Sequence, residues 1–426
     1  MKRFLRRKHW VGLCCWSVLS IAVSCTITSA QEFPLKDGDT VVFYGDSITA
    51  QRLYTRFVED FVLTRYPSLH IVFLNAGVPG DQISGGYAGT MAQRVERDVR
   101  PFHPAMITVM LGMNDGWWGT ESPQIGIAFQ KGYGELLDTL RKAAPDATLT
   151  LIRPSPYDEI THSTEFPGYS RVIDDLANDV TKVAQDRRAS GDSKLLLADF
   201  HQPLIEALER AKTQAPQLAA LIVPDRIHPA EIGHWVMAAQ LLSAWHIDPI
   251  VSSLTLDAAG VQAIDTKRTT ISQLAKTAGG LQWTQRDEAL PLPFDFNNAM
   301  IPLLLGISEI AKVDQLVLCV QALKAGQYQL VIDGKAIASF SKEELATGIN
   351  LALYKSPMVD QARDIDSIEY QRAQLDQARF ILSADVKEDA ASPAAEDKLR
   401  QAQDQLAAEI QKKVKPVSHK FELRRQ

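Results

Sequence analysis

Cysteine is scarce in this chain of 426 residues, and its distribution excludes two kinds of stabilisation. Three of the four cysteines, Cys14, Cys15 and Cys25, lie near the N-terminus, so Cys319 stands alone beyond residue 30. After cleavage at Ala30, this lone cysteine could not form an intrachain disulfide, and no Cys-x-x-Cys or metal-spaced Cys/His cluster suggests a structural zinc site. Because Cys319 lies in an apolar run, we expect a buried thiol.

Long apolar runs and excess positive charge are also missing. Beyond residue 30, no stretch approaches the roughly 20 uninterrupted apolar residues that a membrane-spanning helix needs. The formal net charge is −6, which argues against nucleic acid as a partner. With 46% hydrophobic and 23% charged residues, the composition is that of a globular protein, and the length predicts two or three domains.

The first thirty residues differ from the rest of the chain. A basic start (Lys2–Lys8) precedes a mostly apolar run (Trp10–Cys25) and small residues suited to cleavage (Thr28–Ala30). This pattern predicts a signal peptide over residues 1–30 and a protein exported to the periplasm or the extracellular space. The sequence before Cys25 loosely resembles a lipoprotein-processing site, so anchoring at Cys25 is a minor alternative.

Residues 31–249 alternate between short apolar segments and amphipathic stretches. The apolar segments, partly β-branched, are typical of buried parallel strands: Thr40–Tyr44, His70–Leu74, Met106–Leu111, Ala147–Ile152 and Lys194–Ala198. The stretches between them have apolar residues at helical spacing. We therefore predict a doubly wound α/β domain with a five-stranded parallel sheet, whose ligands bind beyond the carboxyl ends of the strands.

The pattern changes after residue 250. Segments 316–323 and 327–332 are predicted to be neighbouring strands, and Asp333-Gly334 indicates a hairpin turn before a returning strand at 335–340. We assign residues 250–355 to a β-rich accessory domain and 356–426 to a helical hairpin, broken near 390–393, with a C-terminal tail. These parts either brace the first domain or serve substrate binding or assembly.

Polar residues follow the ends of three predicted strands. Ser47, in Gly-Asp-Ser-Ile-Thr, lies beside a helix N-terminus that can stabilise a developing negative charge, although the serine can also be a simple N-cap. The second strand leads into Asn-Ala-Gly-Val-Pro-Gly-Asp, whose glycines allow close backbone approach or a tight turn. Asn114 offers an amide donor after the third strand, or caps a helix.

A further pair lies near the end of the first domain. In Pro-Asp-Arg-Ile-His-Pro, Asp225 is three residues before His228, so the carboxylate can orient the imidazole while the other ring nitrogen faces a serine. Taken alone, such a pair is more often structural. Arg226 between them either contacts substrate or is a solvated loop residue.

The four segments in this order resemble the SGNH, or GDSL-type, serine hydrolases over roughly residues 38–246. The resemblance implies a flavodoxin-like fold and an acyl-enzyme mechanism without metal or cofactor. It implies Ser47 as nucleophile, His228 as base and Asp225 as its partner. The oxyanion donors it implies are the backbone N–H groups of Ser47 and Gly80 and the side chain of Asn114. Gly80 is preferred to Gly77 because the family's donor glycine stands five residues after the asparagine. The absence of a Gly-x-Ser-x-Gly elbow argues against the α/β-hydrolase fold.

Family analogy points to acylated carbohydrate, especially O-acetyl esters, or another small ester as the substrate. Trp117 and Trp118 can present rings to a sugar or pack in the core, and Tyr157 has the same two interpretations. A lipolytic esterase or thioesterase is the enzymatic alternative, and a polysaccharide-binding protein with an inactive hydrolase fold is the non-enzymatic one. His201 and His234 are expected to pack or cap helices and not to bind a metal.

Overall fold

The computed structural model describes residues 33–119, 122–163, 165–384 and 393–426. The predicted signal peptide (1–30) with Cys25, and most of the predicted break near 390–393, lie outside the described residues. Among the described residues, no helix combines the length and the apolar character that crossing a membrane requires.

The first half of the chain builds a parallel sheet, as predicted. Its strands are β1 (Thr40–Gly45), β2 (Val72–Gly77), β3 (Met106–Met110), β4 (Thr148–Arg153) and β5 (Leu195–Asp199). Their spatial order is β2-β1-β3-β4-β5, and β3 is buried along its whole length. The order reverses between β1 and β3, which is where a doubly wound sheet opens a crevice for ligands. The register aligns Gly45 with Gly77 and Met110, so three strands end side by side at that crevice.

Helices flank this sheet: α1 (Leu53–Arg65), α2 (Met91–Asp98), α3 (Pro123–Ala143), α4 (Tyr169–Ala189), α5 (His201–Gln214) and α6 (Glu231–Ala244). α1 packs against α6, and α3 packs against α4. Right-handed crossovers place helices on opposite faces of the sheet once the strand order reverses. The buried apolar positions of α4, at helical spacing, show why this stretch forms an amphipathic helix.

The second half builds two further sheets and a helix pair. Its strands are β6 (Ile250–Asp257), β7 (Gln262–Lys267), β8 (Thr269–Thr277), β9 (Gly280–Asp287), β10 (Gln315–Gln321), β11 (Gln327–Ile332), β12 (Lys335–Ser341) and β13 (His419–Arg425). Its helices are α7 (Ile301–Ile307), α8 (Lys342–Thr347), α9 (Pro357–Ala384) and α10 (Pro393–Lys413). One sheet has the order β8-β9-β13-β11-β12, and in the other β10 pairs with β6, which pairs with β7. Helices α9 and α10 pack on one another.

Two predictions about strand pairing need correction. Segments 316–323 and 327–332 are not neighbours, because β10 pairs in parallel with β6, whereas β11 pairs with β12 and β13 in the other sheet. The predicted C-terminal tail contains β13, the central strand of its sheet, where Phe421 and Leu423 are fully buried. The hairpin at Asp333-Gly334 is confirmed, with both residues at positive φ.

Packing also departs from expectation at two places. Residues 292–313, which were assigned to the accessory domain, contribute Leu292, Phe294 and Ile301 to the same hydrophobic core as the parallel sheet. Residues 33–426 form one compact unit, in which no domain boundary is drawn. The predicted domain boundaries at 249/250 and 355/356 therefore stay predictions. Cys319 is half-buried instead of buried, and its Sγ lies 3.2 Å from the carbonyl oxygen of Ala346.

A carboxyl group is buried where α1 packs against α9. Asp60 is fully buried, with Asp366 and Glu369 of α9 around it, and Arg56 Nη1 lies 2.9 Å from Asp366 Oδ1. Burial first, and then the neighbouring Asp366, raise the pKa of Asp60 well above its ordinary value. The folded protein therefore holds a proton here that the unfolded chain releases at lower pH.

Replacing Asp60 with asparagine is expected to reduce the loss of stability at alkaline pH. A raised carboxyl pKa contributes stability that is present at low pH and lost as the pH rises through the folded-state value, and asparagine has no proton to lose. Thermal unfolding between about pH 5 and pH 9 should show a smaller fall in Tm for Asp60→Asn than for the parent. Asp138, an exposed partner of Arg187, supplies the control Asp138→Asn. Parallel Tm–pH curves for parent and Asp60→Asn would contradict the expectation.

Candidate active site

Ser47 stands at the carboxyl end of β1. Asp46 follows the strand, and its Oδ1 accepts a hydrogen bond from Ile48 N (3.0 Å), so Asp46 and not Ser47 caps the helical turn Ser47–Ala50. The interpretation of Ser47 as an N-cap is therefore wrong. Its hydroxyl, in a half-buried residue, points to other partners.

The hydroxyl of Ser47 belongs to a chain of hydrogen bonds. Ser47 Oγ lies 2.8 Å from His228 Nε2, and His228 Nδ1 lies 2.7 Å from Asp225 Oδ2. With Nδ1–H donating to the carboxylate, Nε2 is left to accept the serine proton. The structure thus brings together the three residues that the sequence singled out for acyl transfer.

Hydrogen bonds within its own loop fix Asp225, the partner of the imidazole. Asp225 Oδ1 also accepts hydrogen bonds from the backbone N–H groups of Ile227 (3.0 Å) and His228 (2.7 Å). Partial burial would raise the pKa of Asp225, but the hydrogen bonds from His228 and Ile227 outweigh it and hold the pKa below its ordinary value. The carboxyl stays ionised and can stabilise a positive charge on His228.

Arg226, between these residues, is bonded to a neighbouring loop. Its backbone is left-handed (φ 73°), its Nε donates to Ser163 O (2.8 Å), and its carbonyl accepts from Asp158 N (2.9 Å). These bonds join the loop that follows β4 to the loop that carries His228. Arg226 is therefore half-buried and held by these bonds, and not a simply solvated loop residue; a contact with substrate stays a prediction.

Gly80 and Gly77, in the loop after β2, have different surroundings. Gly80 is exposed and has a φ of +73°, which favours glycine. Gly77 donates its N–H to Asn75 Oδ1 (3.0 Å), and a Cβ there would overlap the backbone of Ala50. Gly77 is thus a packing position whose N–H is already used, which agrees with the choice of Gly80 as the donor.

Asn114 lies in the loop after β3 and is tied to the loop of Gly80. Its Nδ2 donates to Asp81 O (2.9 Å), and its own carbonyl accepts from Gln82 Nε2 (2.8 Å). A side-chain amide has two N–H groups, so the bond to Asp81 leaves one for another acceptor. Val78 N in turn donates to Gly45 O (3.0 Å), so the loops after β1, β2 and β3 form one connected rim.

The two tryptophans after Asn114 are placed differently. Both have left-handed backbones, with φ 53° at Trp117 and 56° at Trp118, a strained conformation for large side chains. Trp118 packs on Tyr169, with ring centroids 4.9 Å apart, and contacts Phe166 and Tyr157. Trp117 is 73% exposed. The strained turn thus presents one ring to solvent and holds the other against an aromatic cluster.

Trp117 also lines a cleft of about 630 Å³ between α3 and the loop before α2. Ile83, Met91 and Ile125 are among its apolar lining residues, and Gln82 and Gln124 are among its polar ones. Gln82, which lines the cleft, donates to the carbonyl of Asn114, so the cleft adjoins the candidate oxyanion loop.

His201 and His234 are held by local partners. Fully buried His234 accepts from Tyr54 N (3.2 Å) and lies 2.9 Å from Gln51 Oε1, and burial lowers its pKa to about 3. His201 Nδ1 lies 3.1 Å from Pro154 O. Within the described ranges, no three His, Cys, Asp or Glu side chains are grouped so that they could share a metal ion.

The rim also contains buried ionisable side chains that the sequence analysis did not assign to the site. Burial, opposed by the hydrogen bond from Ile48 and assisted by Asp115 and Asp81, raises the pKa of Asp46 to about 7. Burial likewise raises the pKa of Asp115 to about 7. Arg94, from α2, reaches this group of carboxyls with a fully buried guanidinium. The sequence assigned no role to Arg94, since nothing in α2 indicates where a long side chain ends.

Comparison with known proteins places this geometry in context. Residues 43–236 match the model of the GDSL-like lipase/acylhydrolase family. Acetylxylan esterase from Geobacillus stearothermophilus is 25% identical over 227 residues, which are 48% of this chain and 93% of the esterase. The structure of a gut microbial diltiazem-metabolizing enzyme, 24% identical, covers 93% of this chain and 99% of its own with a TM-score of 0.75. That likeness extends the shared fold over both halves of the chain.

Proposed function

We propose that this chain is an exported serine esterase that removes O-acetyl groups from carbohydrate. Residues 43–236 form a domain of the GDSL-like lipase/acylhydrolase family, which makes the chain a carboxylic-ester hydrolase. The observation that carries the proposal is the hydrogen-bonded chain Ser47–His228–Asp225. Export rests on the sequence pattern of residues 1–30.

In the proposed reaction, Ser47 Oγ attacks the ester carbonyl while its proton passes to His228 Nε2. The tetrahedral oxyanion accepts hydrogen bonds from Ser47 N, Gly80 N and Asn114 Nδ2. When the intermediate collapses, the ester C–O bond breaks and His228 returns the proton to the departing alcohol. Water then attacks the acyl-serine by the same route, releases the acid and restores Ser47.

Two features support a sugar ester. Trp117 offers an exposed ring beside the oxyanion loop, and the adjoining cleft is lined by both apolar and polar residues, a combination that suits sugar rings with their apolar faces and hydroxyl edges. The acetylxylan esterase similarity points in the same direction.

The test combines active-site labelling with substrate profiling. A fluorophosphonate probe should label the parent and not Ser47→Ala, and acetate should be released from acetylated glycans. On aryl esters, activity should fall from acetyl to longer acyl chains. A rise with chain length would favour a lipolytic esterase, and an unlabelled parent would favour a non-catalytic protein.

Truncating Trp117 separates sugar binding from chemistry. Because stacking contributes on the order of 1 kcal/mol, Trp117→Ala should raise KM for an acetylated polysaccharide about fivefold and leave kcat/KM on a small aryl acetate nearly unchanged. Steady-state kinetics on both substrates measure this. Phe102, an exposed aromatic before β3 at the opposite edge of the sheet, supplies the control Phe102→Ala. Equal effects of Trp117→Ala on the two substrates would remove Trp117 from the sugar site.

A further inference from the structure

Arg94 occupies an unusual position for a positive charge. It lies in α2, and its side chain is fully buried. The guanidinium pairs with the carboxylate of Asp81 and donates to the carbonyl of Ala76. It also lies 3.5 Å from Gly45 O and 3.2 Å from Asp98 Oδ2. Its face stacks on Tyr44, 4.2 Å from the ring centroid.

These contacts directly reach two of the segments that carry a candidate oxyanion donor, and they reach the third, that of Asn114, through Asp81. Gly45 ends β1 two residues before Ser47, and Ala76 lies in β2, which leads to Gly80. Asp81 follows Gly80 directly, and its carbonyl accepts from Asn114 Nδ2. The planar guanidinium therefore joins the ends of β1 and β2 to Asp81, whose carbonyl bonds Asn114.

We propose that Arg94 is a positioning residue that sets the relative placement of the oxyanion donors Ser47 N, Gly80 N and Asn114 Nδ2. The inference rests on the proposed function, because it assigns Arg94 to the same reaction. Arg94 does not touch substrate and acts through Asp81 and the two strand ends.

The chemistry of the side chain suits this task. A guanidinium presents five N–H donors in one plane, so it can bond a carboxylate and two carbonyls at once and fix the angles between them. Oxyanion stabilisation depends on donors held at the position where charge develops, and small displacements of a reacting group reduce rates strongly. Lysine has the charge without the planar fork.

The variant Arg94→Met, made in the full chain, tests the inference. We expect kcat on a small aryl acetate to fall about tenfold to a hundredfold, with KM within about twofold of the parent, because the lost geometry matters most in the transition state. Binding of a trifluoromethyl ketone, whose serine adduct places an oxyanion among the donors, should weaken in parallel. Arg94→Lys should not restore kcat.

A matched control separates positioning from loss of a buried ion pair. Arg65 and Asp314 form another fully buried pair (2.7 Å), between α1 and the segment before β10. Arg65→Met should lower stability and leave kcat and ketone binding at parental values. If Arg94→Met does not fold, Asp81→Asn replaces it, since asparagine has nearly the same shape and removes only the charge that pairs with Arg94.

Coupling to Asn114 provides the second readout. If Arg94 acts through the oxyanion donors, the loss in the double variant with Asn114→Ala should be much smaller than the product of the two single losses. Parental kcat and ketone affinity in Arg94→Met, or in Asp81→Asn, would overturn the inference. Activity retained in Ser47→Ala would instead remove the proposed function, so the two failures are distinguishable.

Discussion

Ser47→Ala is expected to abolish ester hydrolysis. Without Oγ there is no nucleophile to form the acyl-enzyme, and His228 has no hydroxyl to deprotonate. In serine hydrolases, loss of the nucleophile lowers kcat by roughly 10⁶-fold, and the oxyanion donors and substrate binding account for what remains. The fold should be preserved, because Asp46 and not Ser47 caps the helical turn.

The measurement is turnover of an aryl acetate by purified parent and variant, with circular dichroism to verify folding. Ser190, at the end of α4, bonds only locally to Asp186 O (2.8 Å) among the described residues, so Ser190→Ala is the control and should retain full activity. Undiminished turnover by Ser47→Ala would end the serine mechanism, whatever the substrate.

The strands of the parallel sheet were predictable because each contains a short apolar run, and nearly every residue of the inner strands β1, β3 and β4 is buried. The predicted Met106–Leu111 is observed as Met106–Met110, with every residue buried. Such a run can be recognised as a strand without knowing which strands it pairs with. The same is true of the Asp333-Gly334 turn, where local conformational preference alone selects the hairpin.

Strand pairing in the second half depends on contacts distant in sequence. β11 finds its second partner in β13, about ninety residues later, and β10 finds its partner in β6, before it. Local patterns contain no such information, so adjacency in sequence suggested the wrong neighbours. The alternation of β13, with His419, Phe421 and Leu423 buried, is a signal that was present but short.

Three residues of the candidate site, Ser47, Gly80 and Asn114, were predictable because they lie in loops after strand ends, and parallel strands end together. Asp225 and His228 lie in the loop before α6 and were singled out by their spacing instead.

The sequence could not show which groups the long side chains contact. Arg94 of α2 bonds to the ends of two strands, and Arg226 bonds to the loop after β4. The exposure of Trp117 depends on a strained backbone that no propensity scale predicts for tryptophan.

Asn114→Ala is expected to lower kcat by about 10²–10³-fold, less than Ser47→Ala, because removal of one oxyanion donor leaves the nucleophile, the base and the other donors in place. KM should change little, since the donor interacts most strongly with the charged transition state. Asn114 also bonds Asp81 O, so part of the loss would come from a loosened loop.

Asn114→Asp separates hydrogen bonding from side-chain packing, because aspartate has nearly the shape of asparagine, but its ionised carboxylate can donate neither to the oxyanion nor to Asp81 O. We expect this variant to be at least as slow as Asn114→Ala, whereas a packing role alone would make it faster. Asn297, an exposed asparagine near Lys355, gives the control Asn297→Ala with parental kcat. Inactivity of Ser47→Ala combined with parental kcat in both Asn114 variants would show that the oxyanion is held by the backbone donors of Ser47 and Gly80 alone.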